Sequence, residues 1–250
     1  MKPEIKVFEN SEKLAEQLAL DFQEEAKKSA KENRKFLTAL SGGSTPAIFF
    51  KVLARPGFKE KIPWENIHFF WGDERCVPPD HPESNFGVTK SLLFDKIVIP
   101  AANIHRVIGE AAPEAEAGRY AEELRQITPH AENGIPRFDW IFLGLGDDGH
   151  TASLFPDAAT LQEQKKLCVT AKHPKTGQTR ISFTFPLINQ ARRISFLVTG
   201  AKKRVVVRDI LTQTETGRKL PASFVLPVNG KLEWYLDQDA ALLLQAGTAY

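Results

Sequence analysis

A histidine and two aspartates follow an apolar run in the segment FLGLGDDGHTASLFP, positions 142–156. Asp148 and His150 are two positions apart, so an extended chain would project both side chains to the same side. Histidine can take up a proton near pH 7, and a neighbouring carboxylate can fix its tautomer. The glycines around the pair would let the turn approach a small substrate closely. The segment therefore predicts either a catalytic turn or a solvated loop with an incidental histidine.

The same segment also matches the G-x-G-x-x-G pattern of a dinucleotide site, through Gly144, Gly146 and Gly149. Pro156 would interrupt the long helix that such a motif must open. Two carboxylates at the variable positions would repel a pyrophosphate. The acidic residue expected about 20 positions later is missing. We therefore reject a dinucleotide site.

The segment SGGSTP lies between a predicted strand and a predicted helix. Gly42 and Gly43 expose their backbone N–H groups, and Ser44 or Thr45 can cap the helix, with Pro46 in its first turn. A helix start of this kind suits an anion, most naturally a phosphate. An ordinary turn with a helix cap has the same local sequence, so both interpretations stay open.

Further charged residues flank other predicted strands. Asp73, Glu74 and Arg75 directly follow IHFFW, Arg180 precedes ISFTF, and Lys203 follows VTG. Each charge alone is also compatible with a solvated surface. Together they predict a site only if the strand ends meet at one edge of a sheet.

The pattern of elements favours such a meeting. Strands are predicted at IKVF, KFLTAL, IHFFW, FDWIFLGL, LCVTA, RISFTF, RISFLVTG and LEWYL. Helices are predicted after a cap at Asn10 or Ser11, over Pro46–Ala54, Ser84–Phe94 and Pro113–Ile127, and at KKRVVVRDIL and DAALLLQ. This alternation predicts an α/β fold, a mostly parallel sheet with helices on both faces, formed as one domain over residues 1–250. Such sheets bind ligands at the carboxyl ends of their strands.

Composition excludes several classes of protein. The 250 residues are 42% hydrophobic and 26% charged with a net charge of +2, which indicates a globular protein and does not favour nucleic acid as a partner. Cys76 and Cys168 have no spacing typical of zinc ligands, so we expect no metal site. The charged start lacks the apolar core of a signal peptide, and no apolar run approaches the roughly 18 residues of a membrane span. We expect a cytoplasmic protein without a membrane partner.

Five segments in chain order carry a resemblance to a known family: LSGGSTP, WGDERCVPPDHPESNFG, LGLGDDGHTASLFP, RISFTFPLIN and VTGAKKR. Spanning roughly Leu37 to Ile210, they resemble the glucosamine-6-phosphate isomerase/6-phosphogluconolactonase family, and within it the lactonases. The resemblance implies hydrolysis of 6-phospho-D-glucono-1,5-lactone to 6-phospho-D-gluconate in the oxidative pentose phosphate pathway, without metal or organic cofactor. It also implies a Rossmann-like α/β domain similar to that of glucosamine-6-phosphate deaminase.

For that substrate we expect the following roles. His150 takes a proton from water, and the resulting hydroxide attacks the lactone carbonyl, while Asp148 orients the histidine. The sequence leaves open which donors stabilise the oxyanion: backbone N–H groups of a glycine turn are one source, and Arg75 is a candidate helper. The substrate-binding residues are Gly43, Ser44, Thr45, Arg180 and Lys203 for the phosphate, and Asp73 for sugar hydroxyls or for fixing Arg75. The sequence leaves the oligomeric state open, with a monomer among the options.

Two alternatives remain. A glucosamine-6-phosphate deaminase has tyrosine at the position of Arg75 and Phe-Asn-Glu-Pro where this chain has residues 153–156, and isomerisation needs those extra acid/base groups. A non-catalytic sugar-phosphate sensor would keep the phosphate-binding residues and lose the base. The presence of His150 argues against the sensor.

Overall fold

In the computed structural model, which describes residues 2–131 and 133–245, strands and helices alternate along the chain. The strands are β1 (Glu4–Phe8), β2 (Phe36–Leu40), β3 (Ile67–Trp71), β4 (Asp73–Arg75), β5 (Trp140–Leu143), β6 (Cys168–Lys172), β7 (Thr179–Phe183), β8 (Arg193–Val198) and β9 (Lys231–Asp237). The helices are α1 (Ser11–Lys31), α2 (Ser44–Leu53), α3 (Pro56–Lys59), α4 (Asn85–Leu92), α5 (Pro113–Ile127), α6 (Phe185–Ile188), α7 (Arg204–Leu211) and α8 (Gln238–Gln245). Each strand and helix predicted from the sequence is present.

Six parallel strands form the central sheet, in the order β1-β9-β8-β5-β2-β3. Successive side chains of a strand point to opposite faces. In β2, Leu37 and Ala39 pack into a core with α5, α7 and α8, whereas Phe36 and Leu40 pack into a second core with α1 and α2. Helices therefore cover both faces, and the predicted α/β fold with a mostly parallel sheet is confirmed.

A second, smaller sheet was not expected. The predicted strands β6 and β7 pair antiparallel with each other, and β7 pairs antiparallel with β4, away from the parallel series. The strand β4 consists only of Asp73, Glu74 and Arg75, which are too short and too polar a run to give a strand signal. Its pairing with β7 is what makes it a strand.

Local sequence explains several element ends. The cap of α1 is Asn10 rather than Ser11, because its side-chain oxygen accepts a hydrogen bond of 2.9 Å from Lys13 N. The β-branched run of α7 is nevertheless helical, because Val206, Val207 and Ile210 lie on one helical face and pack into the core. No helix among the described residues is long and apolar enough to cross a membrane.

Two buried histidines are in contact at the edge strand β3, which contains His68. His68 Nδ1 is 2.9 Å from His105 Nε2, and His105 Nδ1 is 2.8 Å from a carboxylate oxygen of Glu123. Burial, assisted by the charges of Lys35 and His105, lowers the pKa of His68 from 6.5 to about 4. The folded protein therefore keeps this imidazole neutral at pH values where an unfolded chain protonates it.

We expect His68 to make the protein less stable in mild acid. Between pH 6.5 and 4 the unfolded state binds a proton that the folded state does not, so the free energy of unfolding falls by up to about 3 kcal/mol across this window. Urea unfolding of the wild type and of His68→Asn at pH 7, 6 and 5 measures the effect. The variant should show a shallower dependence on pH, and parallel profiles would contradict the prediction.

Candidate active site

The polar segments after β2, β3, β5 and β8 meet at a cavity of about 210 Å³. Six of the nine predicted site residues line it, namely Gly43, Asp73, Arg75, His150, Arg180 and Lys203. The other three, Ser44, Thr45 and Asp148, do not. A larger groove of about 720 Å³ beside α5 and β6 contains none of the predicted residues. The strand ends therefore converge as the parallel sheet predicts.

The turn after β5 brings Asp148 and His150 into contact. His150 Nδ1 is 2.6 Å from Asp148 Oδ1, and His150 N donates to the same oxygen at 3.2 Å. The predicted extended geometry is wrong, because Gly149 has φ +79° and the segment folds into a tight turn. A Cβ on Gly146 would lie 2.0 Å from His150 Nδ1, so only glycine allows this approach. No α-helix begins at this turn. The rejection of a dinucleotide site, which would need such a helix, is therefore supported.

The contact fixes the protonation pattern of the pair. Partial burial opposes ionisation of Asp148, but attraction to His150 and hydrogen bonds from its ring and backbone N–H outweigh burial and lower the pKa of Asp148. In the tautomer that donates its Nδ1–H to Asp148, His150 has a free lone pair on Nε2. This tautomer can take up a proton.

The N–H groups of the glycine turn are already used within it. Gly146 N donates to His150 O at 2.8 Å, and Gly149 N donates to Gly146 O at 3.1 Å. These two N–H groups are therefore engaged within the turn, and the source of the oxyanion donors stays a prediction.

Two arginines face each other across the small sheet. Arg75 and Arg180 are register partners on β4 and β7. Arg75 donates to Glu83 O at 2.7 Å and Arg180 to Gln178 Oε1 at 3.2 Å, but neither has a carboxylate within 4.0 Å among the residues that the structure describes. Burial, followed by the charge of Arg75, lowers the pKa of Arg180. Two cations on neighbouring strands, neither in an ion pair among the described residues, favour binding of an anion.

The start of α2 differs from the prediction. The helix begins at Ser44, with Gly43 as its N-cap at φ +111°, and none of the described side chains caps it. Ser44 is exposed, and Thr45 Oγ1 is 2.8 Å from Thr199 Oγ1, so neither hydroxyl serves as the cap. The first turn therefore leaves its backbone N–H groups without a side-chain acceptor.

Asp73 and Glu74 have separate tasks. Asp73 lines the cavity and accepts a hydrogen bond of 2.7 Å from Ser153 Oγ. Glu74 is buried and accepts from Asn85 N and Phe86 N, both at 2.8 Å, so it anchors the start of α4. These two contacts occupy both carboxylate oxygens of Glu74. Burial raises the pKa of Glu74, against the pull of these backbone hydrogen bonds.

The sequence did not single out Asn85, which also lines the cavity. Its amide donates to Asp73 O at 2.9 Å, and a Cβ on Gly42 would lie 1.9 Å from its Oδ1. An asparagine just after the N-cap residue Ser84 carries no local signal of a binding role. The sequence predicted that Gly42 exposes its backbone N–H group. In the structure, its lack of a side chain also makes room for Asn85.

The last cation, Lys203, ends the 3₁₀ turn Ala201–Lys203 after β8. Its Nζ lies 2.5 Å from Asp147 Oδ1. No group of three or more histidine, cysteine or acidic side chains in residues 2–131 and 133–245 could hold a metal ion.

Comparisons with known proteins show what the chain is similar to. The model of the glucosamine-6-phosphate isomerases/6-phosphogluconolactonase family matches residues 9–234. The chain is 51% identical over 206 residues to a 6-phosphogluconolactonase of Haemophilus influenzae, covering 82% of this chain and 86% of that protein. The structure of 6-phosphogluconolactonase from Trypanosoma brucei has a TM-score of 0.87 at 29% identity, over 97% of this chain and 99% of that one. A monomeric glucosamine-6-phosphate deaminase has a TM-score of 0.79 at 21% identity, over 96% and 99%, which shows a shared fold.

Proposed function

Because the chain belongs to the glucosamine-6-phosphate isomerase/6-phosphogluconolactonase family, we propose that it hydrolyses 6-phospho-D-glucono-1,5-lactone to 6-phospho-D-gluconate in the oxidative pentose phosphate pathway, with His150 as the general base. One observation carries the proposal: a histidine held by a carboxylate at 2.6 Å shares a cavity with three cations. That combination suits a substrate with an electrophilic carbonyl at one end and a phosphate at the other.

The chemical step requires one base, one water and donors for an oxyanion. His150 removes a proton from water, and the hydroxide adds to the lactone carbonyl. Asp148 stabilises the imidazolium that forms, as its ionised state and short contact allow. Collapse of the tetrahedral intermediate breaks the ring C–O bond, and the imidazolium returns its proton to the leaving alkoxide. The product is a carboxylic acid with a free hydroxyl, and the acid then releases its proton to solvent to give the carboxylate.

We assign the oxyanion donors to the cavity walls opposite the turn. The Arg75 guanidinium lines the cavity, and its Nε is buried without a hydrogen-bond partner among the described residues. Its N–H groups are fixed by the fold before charge develops on the carbonyl oxygen.

The remaining cations hold the phosphate in this proposal. A phosphate monoester carries about −1.5 to −2 charge at pH 7, so Arg180 and Lys203 together match it. Arg180 can grip two oxygens as a planar fork, and Lys203 acts as a point charge. Backbone N–H groups of Ser44 and Thr45 add the positive end of α2. Of its two expected roles, we assign Asp73 the bonding of sugar hydroxyls, because it lines the cavity.

A deaminase or a sensor fits less well. At the position of the deaminase carboxylate in Phe-Asn-Glu-Pro, this chain has Phe155, whose ring lies 4.8 Å from His150 and 5.7 Å from the Arg180 guanidinium carbon. An aromatic ring cannot transfer the protons that isomerisation requires. A sensor performs no proton transfer, so it would not need a histidine whose tautomer is fixed by Asp148.

The decisive assay uses two substrates. Purified protein is incubated with freshly prepared 6-phosphogluconolactone and, separately, with glucosamine 6-phosphate, while acid release and ammonia are followed. We expect acid release well above the spontaneous rate and no ammonia. Ammonia without accelerated acid release would identify a deaminase, and neither product would favour the sensor.

The same proposal includes three broader expectations. Residues 1–250 form one domain, in which the small sheet completes the cavity at the edge of the central sheet. The enzyme acts in the cytoplasm on a free sugar phosphate. Its mechanism uses neither a metal nor an organic cofactor, because base, donors and cations all come from the chain.

A further inference from the structure

Of the three cations that line the cavity, Lys203 is distinguished by an acidic partner. Lys203 Nζ is 2.5 Å from Asp147 Oδ1, whereas Arg75 and Arg180 have no carboxylate within 4.0 Å in the part of the chain that the structure describes. The contact joins two neighbouring strand ends, because Asp147 follows β5 and Lys203 follows β8, and these strands pair in parallel. The sheet itself therefore places an aspartate beside a phosphate-binding lysine.

The two partners of this ion pair differ in exposure. The Lys203 side chain is 23% exposed and lines the cavity, while the Asp147 side chain is 66% exposed and does not. The carboxylate thus reaches the ammonium from the solvent side. An ion pair with so exposed a partner is screened by water and contributes little to stability, so it can be exchanged for another anion at low cost.

We propose that Asp147 competes with the substrate phosphate for Lys203: the carboxylate holds the ammonium while the site is empty and gives it up when phosphate binds. This inference rests on the phosphate site of the proposed function and makes a residue outside the cavity lining a competitor of the bound phosphate. A phosphate near −2 attracts the ammonium more strongly than a carboxylate at −1. A neutral hydroxyl cannot displace the carboxylate, so the exchange occurs only for an anionic ligand.

The proposal predicts a gain of affinity when the competitor is removed. Asp147→Asn keeps the shape of the side chain and removes its charge. Given the strength of exposed ion pairs, we expect the KM for 6-phosphogluconolactone to fall by about two- to fivefold. The inhibition constant of inorganic phosphate should fall by the same factor. The gain in affinity should be confined to ligands with a phosphate, so kcat/KM for glucono-1,5-lactone should equal that of the wild type. The gain should also be smaller in high salt, because salt screens the interaction.

Three further variants make the test specific. Glu215→Gln removes an exposed carboxylate that pairs with Lys219 at 3.0 Å, far from the cavity lining, and should change nothing. Asp147→Glu retains the charge and should stay near the wild type. In a Lys203→Ala background, Asp147→Asn should have no effect on KM, because the two substitutions remove the same interaction.

Each other result overturns the inference. A higher KM in Asp147→Asn would mean that Asp147 holds Lys203 in its productive position. Unchanged KM and unchanged phosphate inhibition would mean that the lysine is not shared. A gain that persists in the Lys203→Ala background would reveal a general field effect. Calorimetric titration with inorganic phosphate needs no turnover, so it decides this question even if the wild type fails to hydrolyse the lactone and the proposed function falls.

Discussion

Replacing His150 with alanine is expected to lower kcat for 6-phosphogluconolactone by about 10²–10⁴-fold, the usual effect of losing a general base. The variant loses the one histidine among the described residues that line the cavity, whose Nδ1 lies 2.6 Å from Asp148 Oδ1. Its KM should change much less, because the proposed phosphate contacts remain. The measurement is acid release at pH 7 from fresh lactone, corrected for spontaneous hydrolysis.

The fold of the variant is checked by its thermal midpoint and circular dichroism. His150 is partly exposed, so alanine should leave the core intact. His130→Ala is the matched control, because His130 is exposed, follows α5 and lies outside the cavity. A folded His150→Ala enzyme that retains activity within about threefold, less than losing a general base costs, would refute the assignment of the base.

The contact between Asp148 and His150 shows how much of the site residue types alone can predict. Carboxylate and imidazole two positions apart predict a pair, and the structure contains it. The geometry was not predictable, because a spacing of two suggests an extended chain. The tight turn depends on Gly149 at φ +79° and on the space that Gly146 leaves for the ring.

Long-range pairing explains what the sequence could not provide. The parallel sheet was predictable, since apolar strands alternate with helices, and it alone brings four strand ends together. The juxtaposition of Arg75 and Arg180 comes from antiparallel pairing between distant segments, which leaves no local pattern. The same holds for Asn85, which reaches the cavity because Glu74 anchors α4 from another strand.

Helix starts were misjudged for a related reason. A serine or threonine after two glycines is typical of an N-cap, yet Gly43 takes that position in α2. Thr45 instead contacts Thr199 at the end of β8. A tertiary contact thus decides between two caps that the local sequence allows equally.

The second large effect is expected from Arg180. If Arg180 grips the phosphate, Arg180→Ala loses charge-assisted hydrogen bonds made in both the ground state and the transition state. We expect kcat/KM for 6-phosphogluconolactone to fall by about 10- to 100-fold, mainly through KM. Part of the loss will appear in kcat, because the phosphate helps to position the carbonyl against His150. Lys203→Ala should lose less, since in the empty site its charge is already shared with Asp147.

The comparison that decides the role of Arg180 uses glucono-1,5-lactone, which has no phosphate to grip. The wild type should strongly prefer the phosphorylated lactone. Arg180→Ala should reduce that preference by nearly the same factor by which its kcat/KM for 6-phosphogluconolactone falls. Arg125→Ala removes an exposed arginine on α5 outside the cavity and should leave the preference intact.

Because Arg180 lies beside Arg75, the opposite outcome is informative too. An equal loss on both lactones would place Arg180 at the carbonyl, where its charge would stabilise the oxyanion together with Arg75, and the phosphate would then have to bind Lys203 and the start of α2.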